Sequence, residues 1–148
     1  MAEIKKILLA TDFSKGSVRA SDMARTMTRL AGAKLILLHV ITELPEKHTR
    51  RMPADVVDTL IREVELAAVK EMQEFKEQYL SDIEATTEIV IGKSEEMILE
   101  MAAVHQVDLI ILGTHGRTGL DRLKVMVGST ADKVVRSSKI PVLTVRER

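Results

Sequence analysis

Cysteine is absent from this chain of 148 residues. Its absence excludes disulfide frameworks, cysteine-ligated zinc, iron–sulfur clusters and thiol catalysis. The chain also lacks any stretch near the roughly 18 apolar residues of a membrane span. Its first apolar run, Ile7–Ala10, is too short for the core of a signal peptide. We therefore expect a cytoplasmic protein that does not bind membranes.

Aromatic residues are scarce, with one tyrosine, two phenylalanines and no tryptophan. Stacking platforms for nucleobases are therefore not expected. The 22 Lys and Arg balance the 22 Asp and Glu, and binders of nucleic-acid polymers need an excess of positive charge. The charge is nevertheless segregated: residues 82–100 hold six acids and one base, whereas residues 117–148 hold eight bases and three acids. The positive excess of residues 117–148 either is ordinary surface variation or serves to attract a small polyanion.

Five short runs rich in β-branched residues and leucine alternate with helical patterns. Such runs, without polar alternation, are typical of strands that are covered on both faces of a parallel sheet. Residues 1–148 are thus expected to form a single α/β domain with an open parallel five-stranded sheet and helices on both faces. The predicted strands are Ile7–Ala10, Leu35–Ile41, Thr87–Ile91, Val107–Leu112 and Val142–Val145.

Helix ends are marked by residues with capping preferences. Gly32 is expected just past the end of the first helix. Pro53 suits the first position of a long helix, and Ser94 is a good N-cap for the next one. On the long helix, a stripe of apolar residues predicts one buried face, which runs from Val57 to Tyr79. His39, inside a strand, is expected to be a hydrogen-bonded core residue.

Polar and glycine-rich segments follow two of the predicted strands. Residues 10–16 read ATDFSKG, residues 113–119 read GTHGRTG, and residues 128–130 read GST at the start of the last helix. In open parallel sheets, ligands bind beyond the carboxyl ends of the strands. Glycine backbone and a helix N-terminus together favour phosphate. The alternative is that the glycines only form turns and that Ser129 only caps a helix.

These segments, with Leu37–Val40 and Ile140–Val145, resemble the universal stress protein family over essentially the whole chain. The resemblance implies strand order 3-2-1-4-5 and a homodimer, here through the edge strand Val142–Val145. It also implies ATP binding for the subgroup with Gly-x-x-Gly, nine residues and Gly-Ser/Thr. In this chain, eleven residues separate Gly116 from Gly128. The two extra residues are either absorbed between positions 120 and 127 or displace Gly128 and Ser129.

The resemblance also implies individual roles. Asp12 matches an acid beside the nucleotide that can hold Mg²⁺ or Mn²⁺, and Val40 with Ile41 matches the backbone that meets adenine. Leu112 matches an apolar contact to the nucleotide. The phosphate ligands would come from the glycine-rich segments. The predicted site is Ala10, Thr11, Asp12, Val40, Ile41, Leu112, Gly113, Gly116, Arg117, Gly128, Ser129 and Thr130.

Three functions remain open from the sequence. The first is an ATP-binding regulatory protein of the stress response, in which any hydrolysis is slow. The second is a dimeric interaction or signalling module that needs no nucleotide. The third is a genuine ATP hydrolase, for which the sequence offers no catalytic residue.

Overall fold

A computed structural model describes residues 2–114 and 129–146 of the chain. Five strands form one sheet in the order β3-β2-β1-β4-β5, and every neighbouring pair is parallel. The predicted fold class and strand order are therefore confirmed. The strands are β1 (Lys6–Ala10), β2 (Lys34–Thr42), β3 (Ala85–Gly92), β4 (Leu109–Gly113) and β5 (Val142–Val145).

Five helices lie in the described residues. They are α1 (Lys15–Ala31), α2 (Glu46–Thr49), α3 (Ala54–Tyr79), α4 (Ser94–Val104) and α5 (Ser129–Ser137). Gly32 ends α1 in the left-handed conformation, as predicted. The predicted starts of α3 and α4 are each wrong by one residue, because Pro53 and Lys93 are the N-caps. The short helix α2 was not predicted, since its four residues are too few to show a period. Among the described residues, no helix is both long and apolar enough to span a membrane.

Helices cover both faces of the sheet, and side chains that alternate along each strand divide between two cores. Odd-numbered residues of β1 and β2, such as Ile7 and Leu35, pack with α1 and α3. Even-numbered residues, such as Leu8 and Ile36, pack with α4 and α5. Because both faces are buried, the strands show apolar runs rather than alternation.

Strand β2 extends further than its neighbour β1. Ala10, the last residue of β1, pairs with Leu38, whereas β2 continues beside β3 as far as Thr42. Over the last four residues of β2, no described strand therefore pairs with the edge that faces β1. The chain order also reverses here, because β1 leads to β2 on one side and lies beside β4 on the other.

Candidate functional site

A cleft of about 610 Å³ opens at the carboxyl ends of β1, β2 and β4. Its volume is in the range of small-molecule sites. Nine of the twelve predicted site residues line it: Ala10, Thr11, Asp12, Val40, Ile41, Leu112, Gly113, Ser129 and Thr130. The other three, Gly116, Arg117 and Gly128, lie outside the described residues. Whether any of the twelve contacts a nucleotide stays a prediction.

The loop between β1 and α1 holds Asp12 in place through hydrogen bonds. Its Oδ1 accepts the Ser14 backbone N–H at 2.9 Å and the Ser17 hydroxyl at 2.8 Å. The Ser17 Oγ in turn accepts the backbone N–H of Asp12 at 3.1 Å. Ser14 is the N-cap of α1. The carboxylate is therefore fixed at the start of a helix, where the helix dipole favours negative charge.

A second set of contacts anchors this loop to β2. Phe13 has the left-handed φ of 65°, which is uncommon for a residue with a side chain. Its ring packs against the His39 imidazole, with centroids 4.4 Å apart. The His39 Nδ1 lies 2.8 Å from the Thr11 carbonyl oxygen, and this contact requires Nδ1 to carry the proton. His39 is hydrogen-bonded, as predicted, but it is half-buried and lines the cleft rather than the core.

At the end of β4, the backbone approaches α1 very closely. A Cβ atom added to Gly113 would lie 3.1 Å from the carbonyl oxygen of Gly16. Glycine at position 113 thus permits contact between β4 and the first turn of α1. The next residue, Thr114, is buried and lines the cleft, and its Oγ1 has no hydrogen-bond partner among the described residues.

The opposite walls of the cleft offer different chemistry. Ser129 and Thr130, the first residues of α5, place two hydroxyls and a helix N-terminus at one wall. The other wall is the uncovered edge of β2. Here the Lys34 N–H donates to the Lys5 carbonyl, just before β1, and the Leu38 carbonyl accepts the N–H of Thr11, just past β1. Backbone groups alternate in direction along a strand, so Val40 also directs its N–H and C=O toward the β1 side, into the cleft.

The charge of the cleft is informative. Among the described residues that line it, the ionisable side chains are Asp12, His39 and Glu71, with no lysine or arginine. No group of three or more His, Asp and Glu that could hold a metal occurs in residues 2–114 and 129–146. In the described part of the cleft, an anion would therefore interact with backbone dipoles and hydroxyl groups rather than with positively charged side chains.

Sequence reasoning missed several lining residues. On α3 these are Val64, Ala67, Ala68 and Glu71, and on α4 they are Ser94 and Ile98. Val64 and Ala68 belong to the helical stripe that predicted a buried core face, and the stripe does not show which of its residues border the cleft rather than the core. The stripe becomes buried only from Ala68 onward, whereas Leu60, Ile61 and Val64 are exposed.

Comparison with known structures supports the fold. A 30% identical protein of Methanocaldococcus jannaschii, MJ0577, gives a TM-score of 0.86 over 99% of both chains. A universal stress protein solved in complex with cAMP gives a TM-score of 0.71 at 22% identity, and the alignment covers 99% of this chain and 100% of the other. A universal stress protein from Archaeoglobus fulgidus, in complex with dAMP, gives a TM-score of 0.63 at 17% identity, and the alignment covers 97% of this chain and 99% of the other. The last two likenesses establish the fold alone.

Comparison of sequences covers nearly the whole chain. The curated universal stress protein MJ0577 of M. jannaschii is 30% identical over 158 aligned positions, which span 97% of this chain and 96% of that protein. The sequence profile described as the universal stress protein family matches residues 3–146. This match takes in all five strands and every described residue that lines the cleft, and the chain belongs to the universal stress protein family.

Proposed function

We propose that this chain binds ATP in the cleft and acts as a cytoplasmic, nucleotide-sensing regulator of the stress response. One observation carries the proposal. Residues from separate chain segments, predicted to bind a nucleotide, meet in one cleft between the open β2 edge and the N-terminus of α5. Two solved proteins of this fold, in complex with cAMP and dAMP, bind adenine nucleotides. Those ligands are consistent with the proposal.

The edge of β2 suits the adenine base. Val40 directs a donor and an acceptor, its N–H and C=O, into the cleft beyond Ala10. Adenine carries an acceptor, N1, beside a donor, the N6 amino group, whereas guanine carries the reverse pattern. The base would thus continue the hydrogen-bonded ladder that β1 begins, and ATP should bind better than GTP because the guanine edge leaves polar groups unpaired.

The opposite wall suits the phosphates. The N-terminus of α5 supplies backbone N–H groups and a partial positive charge, and Ser129 and Thr130 add hydroxyl donors. The described lining holds no lysine or arginine, and it holds the carboxylate of Asp12. The phosphates of ATP would bring further negative charge close to this carboxylate. A divalent cation held by Asp12 would supply positive charge that offsets this repulsion.

The residues present fit such a cation only together with the nucleotide. Mg²⁺ is usually bound by one or two carboxylates plus phosphates and waters. Asp12 would supply one oxygen ligand, and the described residues contain no cluster of three that would hold a metal alone. Asp12 would therefore bind Mg²⁺ or Mn²⁺ that arrives with ATP, and the ion would neutralise phosphate charge.

Titration of ATP by calorimetry, with and without Mg²⁺, tests the proposal. Ser129→Ala should weaken ATP binding at least about tenfold, since one hydrogen bond to a charged group is lost. Ser137→Ala is the matched control at the exposed far end of the same helix, and it should leave the affinity unchanged. Asp12→Asn should reduce the effect of Mg²⁺. Mass spectrometry of the protein as purified adds a test for retained nucleotide.

The same protein distinguishes the alternatives. A chain that binds no nucleotide under any of these conditions would be an interaction module, and the ATP proposal would be wrong. Release of phosphate at a rate of turnovers per second would instead indicate a hydrolase. The regulatory role predicts ATP binding with slow or no release of phosphate.

We further propose a homodimer through β5. In the described sheet, β5 is the strand beside β4 at one edge. Uncovered edges pair readily with another strand. Joining two β5 strands would leave both clefts open, because the cleft residues come from β1, β2, β4 and the helices.

A further inference from the structure

Helix α3 contributes a wall of the cleft that neither the sequence pattern nor the resemblance assigns to any ligand. Four of its residues line the cleft: Val64, Ala67, Ala68 and Glu71. Their spacing of three and four residues places them on one side of the helix. Further along the same side, Met72 and Phe75 enter the core between α3 and the sheet. The helix thus leaves the core at the point where it borders the cleft.

The middle of this wall is formed by two small residues. Ala67 and Ala68 end at Cβ, and they lie between the larger Val64 and Glu71. Ala68 is 5% exposed, whereas Val64 is 39% exposed at the mouth of the cleft. Two consecutive alanines between larger residues leave a recess beside the helix, in which the face of a planar ring can pack against aliphatic groups at van der Waals distance.

Side chains of β2 border the same recess. The α3 helix packs on the face of the sheet to which odd-numbered β2 residues point. His39 and Ile41 are the odd-numbered residues beyond the end of β1, and both line the cleft. The recess therefore has α3 on one side and the plane of the sheet, extended by Val40, on the other.

A base that bonds to the Val40 edge lies near the plane of the sheet, since strand hydrogen bonds lie in that plane. One of its two faces then turns toward α3. We propose that the Val64–Ala68 turn of α3 packs against this face and sets the width of the base compartment, with Val64 and Ala67 as residues that determine specificity. This inference rests on the proposed ATP site, and it adds α3 as the wall that recognises the base.

The chain offers a direct probe because it contains no tryptophan. In Val64→Trp, the indole would be the single tryptophan, placed at the mouth of the cleft. We expect ATP to quench its emission, since adenine would stack on the ring. Val69→Trp is the matched control. Val69 is on the same helix and 55% exposed, and it is not among the residues that line the cleft. ATP should leave its emission unchanged.

Affinities give a second readout that needs no added ring. Val64→Ala should weaken ATP about fivefold through lost apolar contact, whereas Val69→Ala should not. Ala67→Leu should weaken ATP at least about tenfold by filling the recess. Position 67 is exposed, so folding should tolerate the leucine. Neither cleft substitution should change the affinity for inorganic tripolyphosphate, which carries no base.

The outcomes separate this inference from the proposed site. If wild-type protein binds ATP and neither Val64→Trp emission nor Val64→Ala affinity responds, the α3 wall is wrong and the ATP site stands. Equal losses for ATP and tripolyphosphate would also overturn it, because the wall would then act on the phosphates. If wild-type protein binds no ATP, both proposals fail.

Discussion

Asp12 and Ser17 exchange two hydrogen bonds across the first turn of α1. The backbone N–H of Asp12 donates to Ser17 Oγ at 3.1 Å, and the same hydroxyl donates to Asp12 Oδ1 at 2.8 Å. Ser17 is 4% exposed, so water is a poor substitute for either partner. One buried hydroxyl therefore fixes both the backbone and the carboxylate of Asp12.

Ser17→Ala should lower the free energy of unfolding by about 2 kcal/mol, because a backbone donor and a carboxylate both lose a partner. Urea denaturation measures the change. The variant should also reduce the dependence of ATP binding on Mg²⁺. Ser21→Ala is the control, since Ser21 is equally buried on α1 and donates to the Val18 carbonyl instead. Equal effects of the two substitutions would contradict a special role for Ser17.

Gly113→Ala should destabilise the protein by about 1–3 kcal/mol, as expected when atoms are forced into a packed contact. The added Cβ would lie 3.1 Å from the Gly16 carbonyl oxygen. Gly32→Asn serves as the control, because nothing lies within 4 Å of a Cβ there and asparagine tolerates the φ of 63°. A thermal melt of the two variants separates packing from backbone strain. A neutral Gly113→Ala would refute the contact.

Thr114→Val should leave the free energy of unfolding unchanged or raise it slightly. Its buried Oγ1 has no hydrogen-bond partner among the described residues, so the hydroxyl is a cost that valine removes. Thr11→Val is the matched control at the same cleft. The Thr11 Oγ1 accepts the Phe13 N–H at 3.0 Å, and its loss should cost about 1 kcal/mol. Urea denaturation that ranks the two variants in the opposite order would disprove this.

Asp108 should make stability depend on pH in acid. Hydrogen bonds from the Lys5 and Lys6 backbone N–H groups hold the pKa of Asp108 below its usual value. Because the folded pKa is lowered, the stabilisation is complete above the unfolded value and is lost as pH falls below about 4. Asp108→Asn should flatten the curve of unfolding free energy between pH 5 and 2. Parallel curves for variant and wild type would count against it.

Thr144→Pro should convert the proposed dimer to a monomer. The Pro141 carbonyl, just before β5, accepts the N–H of Ile110 in β4, and the Val145 carbonyl accepts the N–H of Thr114, just past β4. Odd-numbered residues of β5 therefore face β4, and Thr144 directs its N–H outward. Proline there removes an outward donor and spares the ladder to β4. Sedimentation velocity measures the shift, with Thr144→Val as the control that keeps the N–H. A wild-type monomer at high micromolar concentration would refute the dimer.

The strands could be predicted because a sheet covered on both faces leaves a direct mark, as in Leu35–Leu38 and Leu109–Leu112. The loops after β1 and β4 could be predicted as neighbours because the carboxyl ends of parallel strands lie at the same end of the sheet. The sequence did not predict that α3 borders the cleft, because Val64 and Ala68 satisfy a core pattern equally well. Nor could it show that His39 bonds to Thr11, since that contact depends on how far the two strands extend.

The four-residue difference in length between β1 and β2 has a consequence for how the protein can change over time. The groups that would recognise a base at position 40 belong to the main chain, so exchanging one side chain for another there leaves them in place. Selectivity for adenine over guanine would then be encoded in where a neighbouring strand stops. An insertion or deletion near Ala10 would alter it more than most substitutions in the cleft.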